Sequence, residues 1–80
     1  MASSTESSQT MDRQEFAEYL RDLADQFDGE SEANIPVGNK SVNLSPTPNV
    51  KTEIEVIERS SMLRGNKESI ELNARWKRNK

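Results

Sequence analysis

The chain has 80 residues, a net charge of -3 and a mean hydropathy of -0.94, which leaves room for one small domain with little core. It contains neither cysteine nor histidine, and this composition excludes disulfides, thiol nucleophiles, imidazole bases and Cys/His zinc sites. No apolar run approaches the roughly 20 residues that span a bilayer, and the N-terminal residues lack a signal-peptide pattern, so we expect a soluble cytoplasmic protein without membrane contact.

The first predicted elements are a tail and a helix. Residues 1–10 are small and polar without periodicity, which predicts a disordered polar tail. A helix is predicted over 12–28, because Asp12 can cap its first turn together with Glu15. Gly29 is expected to end it as a left-handed C-terminal cap. The apolar face of this helix, spaced by three or four residues, comprises Phe16, Leu20, Leu23 and Phe27.

A period of two then predicts a hairpin with a two-residue turn at Gly38-Asn39. One register places every apolar side chain on the same face. It pairs Ala33 with Leu44, Ile35 with Val42, Pro36 with Ser41 and Val37 with Lys40. Because Pro36 has no N–H to donate, strand 33–37 should be a sheet edge.

Two longer strands are predicted after the stiff connector Ser45-Pro46-Thr47-Pro48-Asn49. The strands cover residues 50–57 and 68–77, and residues 58–67 form the loop between them. Their even-numbered residues are mainly apolar and their odd-numbered residues mainly charged, so one face should be buried and the other wet.

The simplest assembly is an α+β domain over residues 11–80. One N-terminal helix packs on a four-stranded antiparallel sheet in the order α-β-β-β-β, as a meander. The expected core comprises Phe16, Leu20, Leu23, Phe27, Ile35, Val42, Leu44, Val50, Ile54, Val56, Ile70, Leu72 and Trp76. Because this core is thin and unsupported by disulfides or metals, a homodimer that covers an open edge is one hypothesis.

Two segments carry a family resemblance. Met11–Ala24, MDRQEFAEYLRDLA, is similar to the opening helix of the Amphi-Trp domain family. Ile70–Lys77, IELNARWK, resembles that family's closing amphipathic strand, and the characteristic tryptophan falls on Trp76. The resemblance covers residues 11–78. It implies the helix-then-sheet architecture and a likeness to small, mostly haloarchaeal proteins of unestablished function, and it implies no active site.

The charges are divided along the chain. Residues 1–32 hold nine acids and two bases, whereas residues 33–80 hold five acids and nine bases. The basic half favours an anionic partner, while the plainer interpretation is that acids suit a helix start and bases protect sheet edges. The candidate nucleic-acid contacts are Lys51, Arg59, Arg64, Lys67, Arg75, Lys77 and Arg78.

Trp76 could stack on a base between these cations. Its parity with Ile70 and Leu72 instead favours a core position, with Arg75 and Lys77 pointing the other way.

The remaining candidates lie in the 58–67 loop and among the acids. Met62 and Leu63, followed by Arg64, either fold back over the sheet edge or form a partner contact. The carboxylates of Asp22, Asp25 and Asp28 are expected to be solvated, and no pattern indicates a cofactor or a metal site.

The sequence predicts a non-enzymatic interaction module that binds protein, itself included, through edge strands or the 58–67 loop. The alternative is a weak nucleic-acid-binding protein.

Overall fold

The computed structural model describes residues 3–29 and 31–78. Its elements in chain order are α1 (Arg13–Asp28), β1 (Ala33–Val37), β2 (Lys40–Leu44), β3 (Lys51–Arg59) and β4 (Lys67–Arg75). The α+β class and the order of one helix and four strands are therefore confirmed. Residues 1 and 2 of the predicted tail, and residues 30, 79 and 80 of the predicted domain, lie outside the described residues.

The predicted capping of α1 by the Asp12 side chain is confirmed. Asp12 has an extended backbone, and its Oδ1 accepts from the Glu15 backbone N–H at 2.8 Å. The Asp12 carbonyl oxygen accepts from the Phe16 N–H at 3.0 Å, which closes the first turn. The predicted left-handed cap at Gly29 is wrong, because Gly29 has φ -83° and ψ 173°. The chain leaves the helix in extended conformation, so it needs no left-handed reversal at that residue.

The first hairpin has the predicted register at every position. Ala33 lies opposite Leu44, Ile35 opposite Val42 and Pro36 opposite Ser41. Gly38 has φ +63°, in the left-handed region that a two-residue hairpin turn of this kind requires. Local turn chemistry and the alternation of apolar residues therefore suffice to specify this hairpin.

The four strands form two separate sheets rather than the expected single four-stranded sheet. β1 pairs with β2, and β3 pairs with β4, each antiparallel. The connection between β2 and β3 contains Pro46 and Pro48, which fix φ and hold their predecessors extended. Each hairpin satisfies its own inner ladder. The chain accordingly divides into two compact units, residues 1–46 and 47–80.

Within the first unit, α1 lies along the outer edge of β1. The Tyr19 hydroxyl donates to the Pro36 carbonyl oxygen at 3.1 Å, and Gln26 Oε1 accepts from the Asn34 N–H at 2.9 Å. These two side chains bond backbone groups that β2 does not reach. β1 is thus at the edge of its sheet, as expected, but side chains of α1 bond its outer backbone groups. The helix protects this edge from pairing with another strand.

The expected core is mostly wrong for this chain. Among the described residues, Ala33 is the buried apolar side chain, at 0% exposure. Expected core residues that are exposed are Phe16, Leu20, Phe27, Ile54, Val56, Ile70 and Leu72. Those that are half-buried are Leu23, Ile35, Val42, Leu44, Val50 and Trp76. A two-stranded sheet is too narrow to bury a face by itself, so splitting the sheet removes the layer on which the expected core depended.

Candidate interaction surface

The second hairpin presents an apolar face, formed by four side chains from β3 and β4. Ile54 lies opposite Leu72, and Val56 lies opposite Ile70, so the four side chains form two directly facing cross-strand pairs. They are 67%, 62%, 63% and 68% exposed, respectively. Alternation along each strand puts them all on the same side of the sheet. These four side chains form a contiguous apolar surface, which we call the apolar face.

The loop between β3 and β4 projects its two large apolar side chains into solvent. Met62 and Leu63 are essentially fully exposed, at 105% and 97%. A local turn holds them there, because the N–H of Gly65 donates to the Ser61 carbonyl oxygen at 3.0 Å and the N–H of Arg64 to the Ser61 hydroxyl at 3.1 Å. The interpretation in which these residues fold back over the sheet is therefore wrong. A partner contact through Met62, Leu63 and Arg64 stays a prediction.

The opposite face of the second hairpin carries like charges in direct register. Cross-strand partners are Lys51 with Arg75, Glu55 with Glu71 and Arg59 with Lys67. Like charges placed directly opposite each other destabilise a hairpin. The observed ion pair is instead diagonal, between Arg75 and Glu53, and both of its side chains are more than half exposed.

The predicted nucleic-acid contacts are consequently separated into two basic groups. Lys51 and Arg75 lie at the open end of the hairpin, with Lys77 and Arg78 following along the chain, whereas Arg59 and Lys67 lie at the loop end. An acidic pair lies between the two groups. The register of the second hairpin, which no two-residue turn specifies in the sequence, reveals this interruption.

Trp76 follows directly after β4 and is half-buried. The sequence allowed either a buried position in the core or an exposed position for stacking on a base, and the observed exposure of Trp76 lies between the two. A role in the family's characteristic packing and a role in stacking both stay predictions.

The two hairpins differ in how their edges are treated, a feature that sequence reasoning missed. The outer edge of β1 is bonded by Tyr19 and Gln26. Within the described residues β4 pairs with β3 alone, and all nine β4 residues are exposed. The sequence signal for an accessible edge is the place of β4 as the last strand in chain order, since the expected meander leaves its last strand at a sheet edge.

Two shallow clefts lie among the described residues of the first unit. One, of about 400 Å³, lies between the N-terminal segment, α1 and the first hairpin, and is lined by Ser7, Ser8, Gln9, Met11, Phe16, Tyr19, Val37 and Gly38. The other, of about 320 Å³, is lined by Asp22, Asp25, Gln26, Asn34, Pro36 and Ser41. Across residues 3–29 and 31–78, no three His, Cys, Asp or Glu side chains are grouped so as to hold a metal ion.

The Asp12 carboxyl has a lowered pKa because of its position at the N-terminal cap of α1. The backbone N–H of Glu15 donates to the Asp12 carboxylate and holds the pKa of that carboxyl below its usual 3.8. The shift follows from the helix cap, since a carboxylate that accepts a hydrogen bond is favoured in its charged form. It indicates stabilisation of α1.

These features define a small α+β protein with one helix and two antiparallel hairpins, in which the second hairpin bears an exposed apolar face. The chain belongs to the Amphi-Trp domain family, whose profile matches residues 1–80. No curated protein and no solved structure matches the chain. In the described part of the chain, no helix has the length and apolar content that crossing a membrane requires.

Proposed function

We propose that this protein is a non-enzymatic interaction module that binds protein through its second hairpin. The observation that carries the proposal is the apolar face: Ile54, Val56, Ile70 and Leu72 stand side by side and are each more than 60% exposed. Contiguous exposed apolar surface of this kind is typical of protein-binding sites. Binding would remove these side chains from water, which yields about 25 cal/mol for each Å² covered.

Two further features of the same hairpin support protein as the partner. Met62 and Leu63 add apolar surface at the loop tip. The outer edge of β4 offers backbone donors and acceptors to an incoming strand, a common mode of protein recognition.

We also propose that the protein acts in the cytoplasm, where a chain without cysteine needs no oxidising environment.

The test is affinity capture of partners from lysate at native salt, with variants that differ only in the face they alter. Ile54→Ser should abolish capture, because it places a hydroxyl in the middle of the apolar face. Ile57→Ser is the control that makes the same chemical change on the opposite face of the same strand, where Ile57 is half-buried and lies opposite Ser69. Circular dichroism should confirm that both variants keep their secondary structure. Equal capture by the wild type and both variants would refute the proposal.

The alternative function is weak nucleic-acid binding by the basic residues. The facing pairs Lys51–Arg75 and Arg59–Lys67 favour it, because each concentrates two cations. Two observations weaken it: the Glu55–Glu71 pair lies between these groups, and Arg75 is already engaged by Glu53. Nucleic-acid affinity falls steeply as salt rises, whereas contact through the apolar face should persist. A titration with single-stranded DNA at two salt concentrations therefore separates the two functions.

A further inference from the structure

We propose that the outer edge of β4 pairs with β4 of a second copy of this chain, antiparallel and about a two-fold axis at Asn73. The two hairpins then form one four-stranded sheet in the order β3-β4-β4-β3. This inference goes beyond the proposed function, because it places a second copy at the β4 edge and leaves the apolar face open to a protein partner. It is carried by the register of the second hairpin, the exposure of β4 and the order of charges along β4.

The hydrogen-bonding geometry of β4 restricts which registers a second copy can adopt. In an antiparallel ladder, facing residues alternate between pairs that exchange both backbone hydrogen bonds and pairs that exchange none. Since β4 already bonds β3 with every second residue, only the alternate residues can bond outward. Residues that bond outward must face each other across the two strands. The two-fold axis therefore lies between two copies of the same residue, and we name each register by that residue.

Of these registers, the one centred on Asn73 is complementary in charge and in polarity. It places Glu71 opposite Arg75 of the second copy, twice by symmetry, and the neutral Asn73 opposite itself. Leu72 then lies opposite Ala74, also twice. Opposite charges and apolar pairs that face each other across strands are stabilising. The register therefore satisfies both faces of β4 at once.

The registers centred on Glu71 and on Leu72 bring like charges together. An axis at Glu71 places that carboxylate opposite itself and Lys67 opposite Arg75. An axis at Leu72 places Lys67 opposite Lys77. Like charges in direct opposition destabilise a sheet, so both registers are disfavoured.

The complementarity extends beyond the ends of β4 when the axis is at Asn73. Glu68 comes opposite Arg78 of the second copy, and Ile70 comes opposite Trp76. Moving the axis to Ala74 would pair Glu71 with Lys77, but it would place the apolar Ile70 opposite the Arg78 guanidinium. The Asn73 register thus gives two kinds of opposite-charge pair and no like-charge pair among residues 68–78.

The size of the second hairpin supplies the reason for pairing. An isolated two-stranded sheet is only marginally stable in water, and three or more strands with an apolar face are needed for independent stability. Pairing through β4 meets this requirement and places the two apolar faces side by side. The first hairpin differs, because α1 already bonds the outer edge of β1.

Disulfide trapping tests the register directly, since the chain has no cysteine of its own. Residue 73 would face itself across the axis at about 4.5–5.5 Å between Cα atoms, within the range that a disulfide spans. Asn73→Cys in the full-length chain should therefore form a covalent dimer under mild oxidation. Glu53→Cys is the matched control: Glu53 lies directly opposite Asn73 on β3, and its two copies would be about 14 Å apart. Preferential cross-linking of Glu53→Cys, or none at Asn73→Cys, would overturn the proposal.

Charge reversal tests the same interface without a cross-link, by sedimentation equilibrium at low salt. Glu71→Arg should weaken the dimer about tenfold or more, because two opposite-charge pairs become like-charge pairs. Glu55→Arg makes the same charge change within the same hairpin pair but lies on β3, so it should leave dimerisation unaltered. Adding Arg75→Glu to Glu71→Arg should restore the dimer. Equal effects of Glu71→Arg and Glu55→Arg, or no rescue, would contradict the proposed register.

The two proposals fail in different ways. A wild-type chain that stays monomeric at high micromolar concentration overturns self-pairing through β4. If that monomer still captures protein and loses it on Ile54→Ser, the interaction function stands with another partner. Self-pairing that survives Ile54→Ser and is lost on Glu71→Arg supports the β4 edge as the site.

Discussion

Removal of the Tyr19 hydroxyl probes the contact that holds α1 to β1. Tyr19→Phe deletes the donor to the Pro36 carbonyl oxygen and leaves the ring in place, so the change isolates one part-buried hydrogen bond at 3.1 Å. A neutral hydrogen bond contributes a net 0.5–1.5 kcal/mol, so we expect unfolding of α1 to become easier by about 1 kcal/mol. For a chain of this size, that corresponds to a decrease in Tm of about 4–8 °C.

The assay is thermal and urea unfolding followed by circular dichroism at 222 nm, because α1 is the only helix among the described residues and therefore dominates the helical signal. Glu18→Ala is the control: Glu18 is an exposed neighbour on the same helix, and its change should stay within about 0.5 kcal/mol. A Tyr19→Phe effect no larger than that of Glu18→Ala would show that water replaces the hydroxyl. The helix would then not owe its position on β1 to this bond.

Three further experiments test the caps, the turns and the register. Asp12→Asn keeps the helix cap but removes its titration. The folded pKa of Asp12 lies below 3.8, so the carboxylate stabilises α1 fully above that pH and loses this effect as pH falls through the folded pKa. The wild type should therefore lose more helicity in acid than the variant. Gly38→Ala should cost about 1–2 kcal/mol at φ +63°, whereas Gly29→Ala, in extended backbone with open space around it, should be neutral or stabilising in the same urea titration. Glu55→Lys should stabilise the second hairpin by about 0.2–1 kcal/mol, because the like-charge pair of Glu55 and Glu71 becomes an opposite-charge pair. Trp fluorescence during unfolding at low salt measures this gain in stability.

Features that depend on neighbours in sequence were predictable. The Asp12 cap needs only a carboxylate three residues before a free N–H, and the first hairpin needs only Gly38 in the turn and alternating apolar residues on both sides. The failure at Gly29 is instructive, because a glycine after a helix permits a left-handed cap without requiring it. Where the chain goes next decides its conformation.

The site was less predictable than the fold. The sequence identified Met62 and Leu63 as surface candidates, and it left open whether they would fold back. It assigned Ile54 and Leu72 to a core, since strict alternation reads the same whether a layer covers that face or not. The expected meander already placed β4 at a sheet edge. What the sequence did not indicate is that α1 bonds the outer edge of β1, because contacts between elements depend on tertiary structure and not on composition.

The sequence by itself determined the helix, the four strands, their order and the register of the first hairpin, because each follows from caps, turns and periodicity within a few residues. Tertiary structure decided that the strands form two sheets, that Tyr19 and Gln26 bond the edge of β1, and that the apolar face of the second hairpin stays exposed. The physical reason is range. Periodicity shows which side of a strand is apolar, but burial of that side depends on what packs against it, and contacts between elements distant in sequence are not encoded in any local pattern.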